Sequence, residues 1–263
     1  MGGFADLPLD ALVAKRARIL VIDVETAPMI AATFRTGKQR VGIHQVLEPS
    51  YLMSFAAKWH GYKKIIYRST FHDGRTAMVR ELAALMDEAH IVVHYNGARF
   101  DEQKIEQALM LEGFDEPSPF KRIDLLPTAR RFGFDSSKLD WVAQQVGLGG
   151  KMQHSGFDMW LACMNGDEKA WAMFRRYNMA DTELEDRLYT RWRPWIRNHP
   201  NMGLFAPDHE LRCTNCGRSD LTALRDTPAL TDVTAYEAYR CVCGKVTRSK
   251  HRKNAAVMRG VTR

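Results

Sequence analysis

Short apolar runs alternate along the chain with segments whose apolar residues recur every three or four positions, a pattern that predicts a mixed α/β protein. Ile19-Leu20-Val21-Ile22, followed by Asp23-Val24-Glu25, reads as a buried strand ending in carboxylates, and Thr26-Ala27-Pro28 stops it. A long loop follows, through Thr36-Gly37-Lys38 and Glu48-Pro49-Ser50. Residues 51–59 and 63–70 flank His60-Gly61-Tyr62 and predict a hairpin. Helical spacing of Met78, Leu82, Leu85 and Met86 covers 75–89, 90–95 reads as a strand, 101–111 as a helix and 123–126 as a further strand. Helical patterning resumes at 139–146 and at 170–192, where Phe174, Tyr177, Asp181, Leu184 and Leu188 share a face. This order fits a mixed sheet with helices on its faces. Three prolines and Asn198-His199-Pro200-Asn201 make 194–208 the expected linker.

Composition adds an asymmetry. With 263 residues, 45% of them hydrophobic, the chain can bury a real core, and disorder is excluded as a description of the whole. The net charge of +7 is local: Lys245, Arg248, Lys250, Arg252, Lys253, Arg259 and Arg263 follow Gly244 with no acidic residue among them, so everything before is balanced. A basic end of this kind attracts polyanions, or simply solubilises. Cysteines are just as uneven, with Cys213, Cys216, Cys241 and Cys243 clustered and Cys163 apart as a packing residue. That distribution argues against a secreted disulfide framework. The apolar runs are too short to span a bilayer, so the expectation is a soluble protein of a reducing compartment with no membrane association.

Three acidic elements carry the candidate chemistry. Asp23 and Glu25, two apart on a strand, leave the same face and can grip one metal cluster, or else are solvated at a strand end. Asp101, in Asn96-Gly97-Ala98-Arg99-Phe100-Asp101, opens a helix after a strand and either caps it or faces the end of the sheet. Tyr177 and Asp181 lie one helical turn apart and can point at a common centre. Asp124 supports its strand end. Lys151 and His154 follow a Gly-rich turn and either meet phosphate or lie in a solvated loop.

Taken in order, strand D-x-E, post-strand N-x-x-x-F-D and helical Y-x-x-x-D resemble the DEDD superfamily of ribonuclease H-like 3′-to-5′ exonucleases. The tyrosine is similar to that of the DEDDy subclass, which includes the proofreading domains of family B DNA polymerases. Phe55-Ala56-Ala57-Lys58-Trp59, Ile123-Asp124-Leu125, Lys138-Leu139-Asp140-Trp141, Gly149-Gly150-Lys151 and His199-Pro200-Asn201 resemble a stand-alone, often phage-encoded branch. The resemblance implies a ribonuclease H-like mixed sheet flanked by helices over 1–201. It implies two Mg²⁺ or Mn²⁺ ions on Asp23, Glu25, Asp101 and Asp181, with Tyr177 orienting the attacking water. It also brings Thr26 and Asn96 near the terminal nucleotide. Phe100 offers a stacking surface or a core contact. Independently, hard oxygen ligands suit Mg²⁺ or Mn²⁺, and a pair of such ions suits phosphodiester hydrolysis.

Cys213-Thr214-Asn215-Cys216-Gly217 and Cys241-Val242-Cys243-Gly244 have the form of a zinc ribbon, two Gly-closed turns gripping one structural Zn²⁺. The second pair is one residue short of the usual spacing, which leaves His209 or His251 open as a replacement ligand. A ribbon with a basic C-terminal tail is therefore expected over 209–263. The expected function is stepwise release of nucleoside 5′-monophosphates from the 3′ end of single-stranded DNA, in the cytoplasm of a bacterium or phage-infected host, with replication or repair proteins as partners. Two alternatives keep other classes open: an exoribonuclease, and a non-catalytic nucleic-acid-binding factor using ribbon and tail. A structure-specific endonuclease would share the ions and lack the Y-x-x-x-D signature.

Overall fold

The computed structural model describes residues 17–153, 155–208 and 210–258. The chain forms two compact units that divide between Thr190 and Arg191, upstream of the boundary near 201 read from the sequence. The first unit opens with β1 (Ile19–Thr26). The segment expected as a loop contains a two-stranded pairing of β2 (Ile30–Ala31) with β3 (Val46–Glu48). The expected hairpin is β4 (Leu52–Trp59) and β5 (Ile65–Ser69), reversing at Gly61, whose φ of +86° suits a residue without Cβ. Then come α1 (Arg75–Glu88), β6 (Ile91–His94), α2 (Asp101–Leu111) and β7 (Lys121–Asp124). The helices α3 (Leu126–Phe132), α4 (Leu139–Gln145), α5 (Phe157–Met164) and α6 (Glu168–Trp192) complete the series.

The strand expected at 123–126 thus ends at Asp124. Its Oδ1 accepts hydrogen bonds from the Leu126 amide at 2.9 Å and the Asn96 amide at 2.8 Å, so the carboxylate both starts α3 and ties down the turn after β6. The five main strands lie in the order β5-β4-β1-β6-β7. β4 is antiparallel to β1 and β5, whereas β1, β6 and β7 run parallel. This is a mixed sheet with helices on its faces, the ribonuclease H-like arrangement.

Period-two alternation in β1 assigns its residues to two faces. Leu20, Ile22 and Val24 pack with Met78, Leu82, Ile105 and Leu109 of α1 and α2. Val21, Asp23 and Glu25 point the other way, where α5 and α6 contribute a second cluster of Met159, Cys163, Trp171, Phe174 and Tyr177. Cys163 is buried there as expected. Burial of each large side chain is worth about 1.5–3 kcal/mol. A charged clamp joins α6 to β4: Lys58 Nζ donates to Asp186 at 2.7 Å and to Glu183 at 2.6 Å, and His60 Nδ1 lies 2.6 Å from Asp186 Oδ1.

In the second unit, β8 (Leu221–Ala223) and β9 (Ala229–Leu230) pair with β10 (Thr234–Cys241), and β10 pairs with β11 (Val246–Ala255), all antiparallel. The stretch expected as a linker is packed: Ile196 and Met202 are buried, turns of 3-10 helix occupy Arg193–Trp195 and Met202–Phe205, and the Met202 amide donates to Thr214 O at 2.9 Å. Part of the expected basic tail is a strand, while Arg259 and Arg263 lie outside the described residues. Arg248, Lys250, Arg252 and Lys253 belong to β11, whose Thr247 and Ser249 are buried while Arg248 and Lys250 are exposed. Alternation of small and basic residues buries one face of the first part of this strand, and its residues from Lys250 on are exposed. No described helix is long and apolar enough to cross a membrane.

Candidate active site

Pairing of β1 with β6 ends at Val21 opposite Val93, although β1 continues to Thr26. β6 ends one residue later at His94 while β1 runs on, at the C-terminal ends of the parallel strands, where α/β sheets commonly bind ligands. Asp101 reaches back to β1, its Oδ1 accepting from the Val24 amide at 3.2 Å. It is therefore more than a helix cap: it occupies the place of the missing β6 partner. The approach depends on Gly97, where an added Cβ would stand 2.4 Å from His94 Cγ and 2.7 Å from Asp101 Oδ2. His94 Nδ1 accepts from the Gly97 amide at 3.1 Å, leaving Nε2 to donate to buried Glu102 at 2.7 Å, and Arg122 pairs with the same carboxylate.

Asp23, Glu25 and Asp181 converge, each offering an oxygen within 4.8 Å of the others. Asp23 is held by Asn178, whose Nδ2 donates to its Oδ2 at 2.6 Å while Asn178 Oδ1 accepts from buried Ser54 at 3.0 Å. Asp181 is fully buried, and its Oδ1 has no hydrogen-bond partner. Burial, then Glu25, Asp101 and Asp181, hold the Asp23 carboxyl well above the usual range. Burial and Asp181 push Glu25 up to about 8. Asp101 is also raised by burial, against the pull of His94 and the Val24 amide. A cluster of desolvated like charges with an unsatisfied oxygen is energetically costly, and a divalent cation is the group that would relieve it. The residues present fit such an ion: oxygen donors, several of them anionic, at short mutual range.

Two further groups enter this site. Lys151 Nζ lies 2.5 Å from Asp181 Oδ2 and 3.4 Å from Tyr177 OH, and its backbone amide is pinned to Asp140 Oδ1 at 2.7 Å. Lys151 is therefore not simply solvated in its loop: its ammonium lies against a buried carboxylate. Burial works against its charge, but Asp181 and Tyr177 outweigh this and raise its pKa. Glu185, one turn beyond Asp181, is buried with Oε2 unpartnered. Burial, then Asp23, Asp101 and Asp181, raise its pKa well above the ordinary value. Glu185 escaped the sequence reading, although Tyr177, Asp181 and Glu185 at four-residue intervals were the available signal. Asn178 was likewise overlooked between Tyr177 and Asp181.

Tyr177 is buried on the same stripe, and burial with Asp181 beside it raises its hydroxyl pKa, which keeps the phenol protonated. Thr26 follows a register shift in β1 that turns the strand end. Asn96 is exposed with a left-handed backbone, φ 66°. Phe100 is 43% exposed, so the core-contact alternative does not hold. His154 lies outside the described residues.

In the second unit all four clustered cysteines come together, with every Sγ within 4.8 Å of the rest. Cys213 and Cys243 sulfurs are 3.6 Å apart and those of Cys216 and Cys241 3.5 Å, too far for disulfides and near the ~3.8 Å edge of a tetrahedron with ~2.3 Å metal–sulfur bonds. The two turns close alike: Gly217 and Gly244 amides donate to Cys213 O and Cys241 O, both at 2.9 Å. The shortened C-x-C pair is therefore no obstacle. His251 is not part of the cluster, and His209 lies outside the described residues.

The fold and the acidic cluster define a ribonuclease H-like α/β protein with a carboxylate site suited to divalent cations. The chain belongs to the RNase_H superfamily, whose family model matches residues 41–193, a span that includes Asp101, Tyr177 and Asp181. Among solved structures it is similar to Trypanosoma brucei RNase D, with 15% identity and a TM-score of 0.43 over 72% of this chain and 60% of that one. It is also similar to the catalytic core of RRP6 from Trypanosoma brucei, with 10% identity and a TM-score of 0.39 over 71% of this chain and 47% of that one. The chain thus spans less than two thirds of those structures. No curated protein matches it.

Proposed function

We propose that the first unit is a 3′-to-5′ exonuclease acting on single-stranded nucleic acid, with DNA as the polymer. The observation that carries this reading is the convergence of Asp23, Glu25 and Asp181 within 4.8 Å, beside Asp101 and Tyr177. DNA is proposed because the Y-x-x-x-D element resembles that of polymerase proofreading domains. Water adds to the terminal phosphorus, the bond to the 3′ oxygen breaks, and a 5′-monophosphate leaves with a new 3′ hydroxyl behind.

Asp23, Glu25 and Asp181 would hold one divalent cation, and Asp23 with Asp101 a second. Such ions, when bound, supply a nucleophile at neutral pH and offset charge on the leaving oxygen. The protein's own contributions surround them. Tyr177 OH orients the attacking water, Asn178 keeps Asp23 turned inward, and the Lys151 ammonium is available to a non-bridging phosphate oxygen once Asp181 is otherwise engaged. Thr26 and Asn96 contact the terminal nucleotide, and exposed Phe100 offers its ring to a base. In the second unit, Cys213, Cys216, Cys241 and Cys243 hold a structural zinc, in keeping with a reducing cytoplasm.

The deciding experiment incubates 5′-labelled single-stranded DNA and RNA with Mg²⁺ or Mn²⁺, wild type beside Asp181→Ala. A descending ladder on DNA, lost in the variant, is expected. A ladder on RNA alone would replace the polymer and keep the chemistry. No cleavage of either strand would sink the enzyme reading.

A further inference from the structure

Two of the surplus arginines of the C-terminal segment, Arg248 and Arg252, lie on β11 of the second unit's sheet, opposite β10. Residues directly opposite on antiparallel strands share a face. The register sets Tyr236 beside Arg252, Ala238 beside Arg248 and Arg240 beside Val246. The register shifts between Tyr236 and Ala238, and contact of Arg248 with the Tyr236 ring joins the pairs on either side into one face with three arginines and a tyrosine, and no carboxylate in any of the three pairs. The flanking strands add an alanine opposite Tyr236 and a threonine opposite Arg240. The opposite face turns inward with buried Thr247 and Cys241, whereas Arg240, Arg248 and Arg252 are exposed. The Arg248 guanidinium lies 3.9 Å from the centroid of the Tyr236 ring, so a flat cationic plane is already built on an aromatic one.

We propose that this face is a second binding surface for single-stranded nucleic acid. Arg240 and Arg252 meet phosphates through forked N–H donors, and the Arg248–Tyr236 stack receives a base. Stacking requires a base freed from pairing, which selects a single strand over a duplex. An anionic lipid surface shares the charge requirement, but the only apolar side chain exposed among these pairs is Val246, too little to anchor in acyl chains. The inference rests on the nuclease reading for its choice of polyanion, and it adds a hold on the same polymer that the catalytic residues do not supply.

The test uses the full chain in an Asp181→Ala background, which leaves the strand uncut, with fluorescein-labelled oligo-dT and oligo-U followed by anisotropy over a salt series. Arg240→Gln/Arg248→Gln/Arg252→Gln should weaken binding about tenfold or more. It should also reduce the slope of log affinity against log salt by about 1.4, at roughly 0.7 for each of the two phosphate contacts. Tyr236→Ala should weaken binding about tenfold and leave the slope unchanged. Circular dichroism and metal content check folding, and the single exposed Arg252→Gln, expected to lower the slope by about 0.7, serves if the triple variant is unfolded. Parental binding by the folded variants at every salt concentration overturns the proposal. So does loss of binding to phosphatidylserine vesicles with oligonucleotide binding intact. A wild type that binds through this face but cuts nothing removes the nuclease reading alone, whereas cutting with unaltered binding in the variants removes this one alone.

Discussion

At the scale of single residues, the site is a place where burial and charge oppose each other. Glu25 in the metal-free protein is held at about 8 against an ordinary 4.5, first by desolvation and then by Asp181. Because the folded value is raised, Glu25's stabilising contribution is full below about 4.5 and is lost as pH rises through about 8. Thermal melts in a weak chelator too mild to strip thiolate-bound metal should therefore show the first unit losing stability between about pH 5 and pH 8. Saturating Mn²⁺ should remove that decline and release protons on binding, measurable by calorimetry in buffers of different ionisation enthalpy. A flat metal-free profile, or binding without proton release, would contradict the electrostatic account. Lys151 offsets part of the repulsion through Asp181, and Asn178 fixes Asp23 without adding charge. Neither role follows from the residue type alone. A lysine after a Gly-rich turn is ordinarily solvated, and only its 2.5 Å contact with a buried carboxylate gives it a part in the site.

At the scale of elements, geometry depends on where pairing stops. Separation of β1 from β6 after Val21 leaves the Val24 amide for Asp101, and Gly97 provides the room for that approach. Gly97→Ala should displace Asp101 or His94, costing about 1–3 kcal/mol of stability and slowing hydrolysis by about a hundredfold at equal folded concentration. Chemical denaturation beside single-turnover kinetics would measure both; unchanged turnover would show that Asp101 tolerates displacement. The strand–helix alternation was legible because α1 and α6 are long and periodic and β1 and β6 are continuous apolar runs. The paired β2 and β3, of two and three residues, were not, since so short a strand shows no period. β7 was read too far because Leu125 and Leu126 continue its apolar run, and only the Asp124 cap reveals the start of α3.

At the scale of the whole molecule, the two units rest on different sources of stability. The first has extensive apolar clusters on both faces of its sheet, whereas among the described residues the buried cluster of the second is Cys213, Cys216 and Cys241, with Leu221 and Cys243 against it. So small a core needs a cross-link, and the proposed metal–thiolate bonding would supply it. Cys213→Ser/Cys216→Ser should therefore lose its stoichiometric zinc and the calorimetric transition of the second unit, while the first unit still melts cooperatively. Zinc retained at one per chain, or both transitions lost together, would contradict this independence. The sequence by itself determined the α/β class, the five acid-site candidates and the four clustered cysteines, because each is expressed in local period or spacing along the chain. The meeting of Asp23, Glu25 and Asp181, the entry of Lys151 and Glu185, the packing of 194–208 and the conversion of a basic tail into an arginine face were decided only by tertiary structure. Each depends on which distant segments become neighbours, and residues such as Lys151 or Arg252 acquire their charged surroundings only after the chain has closed around them.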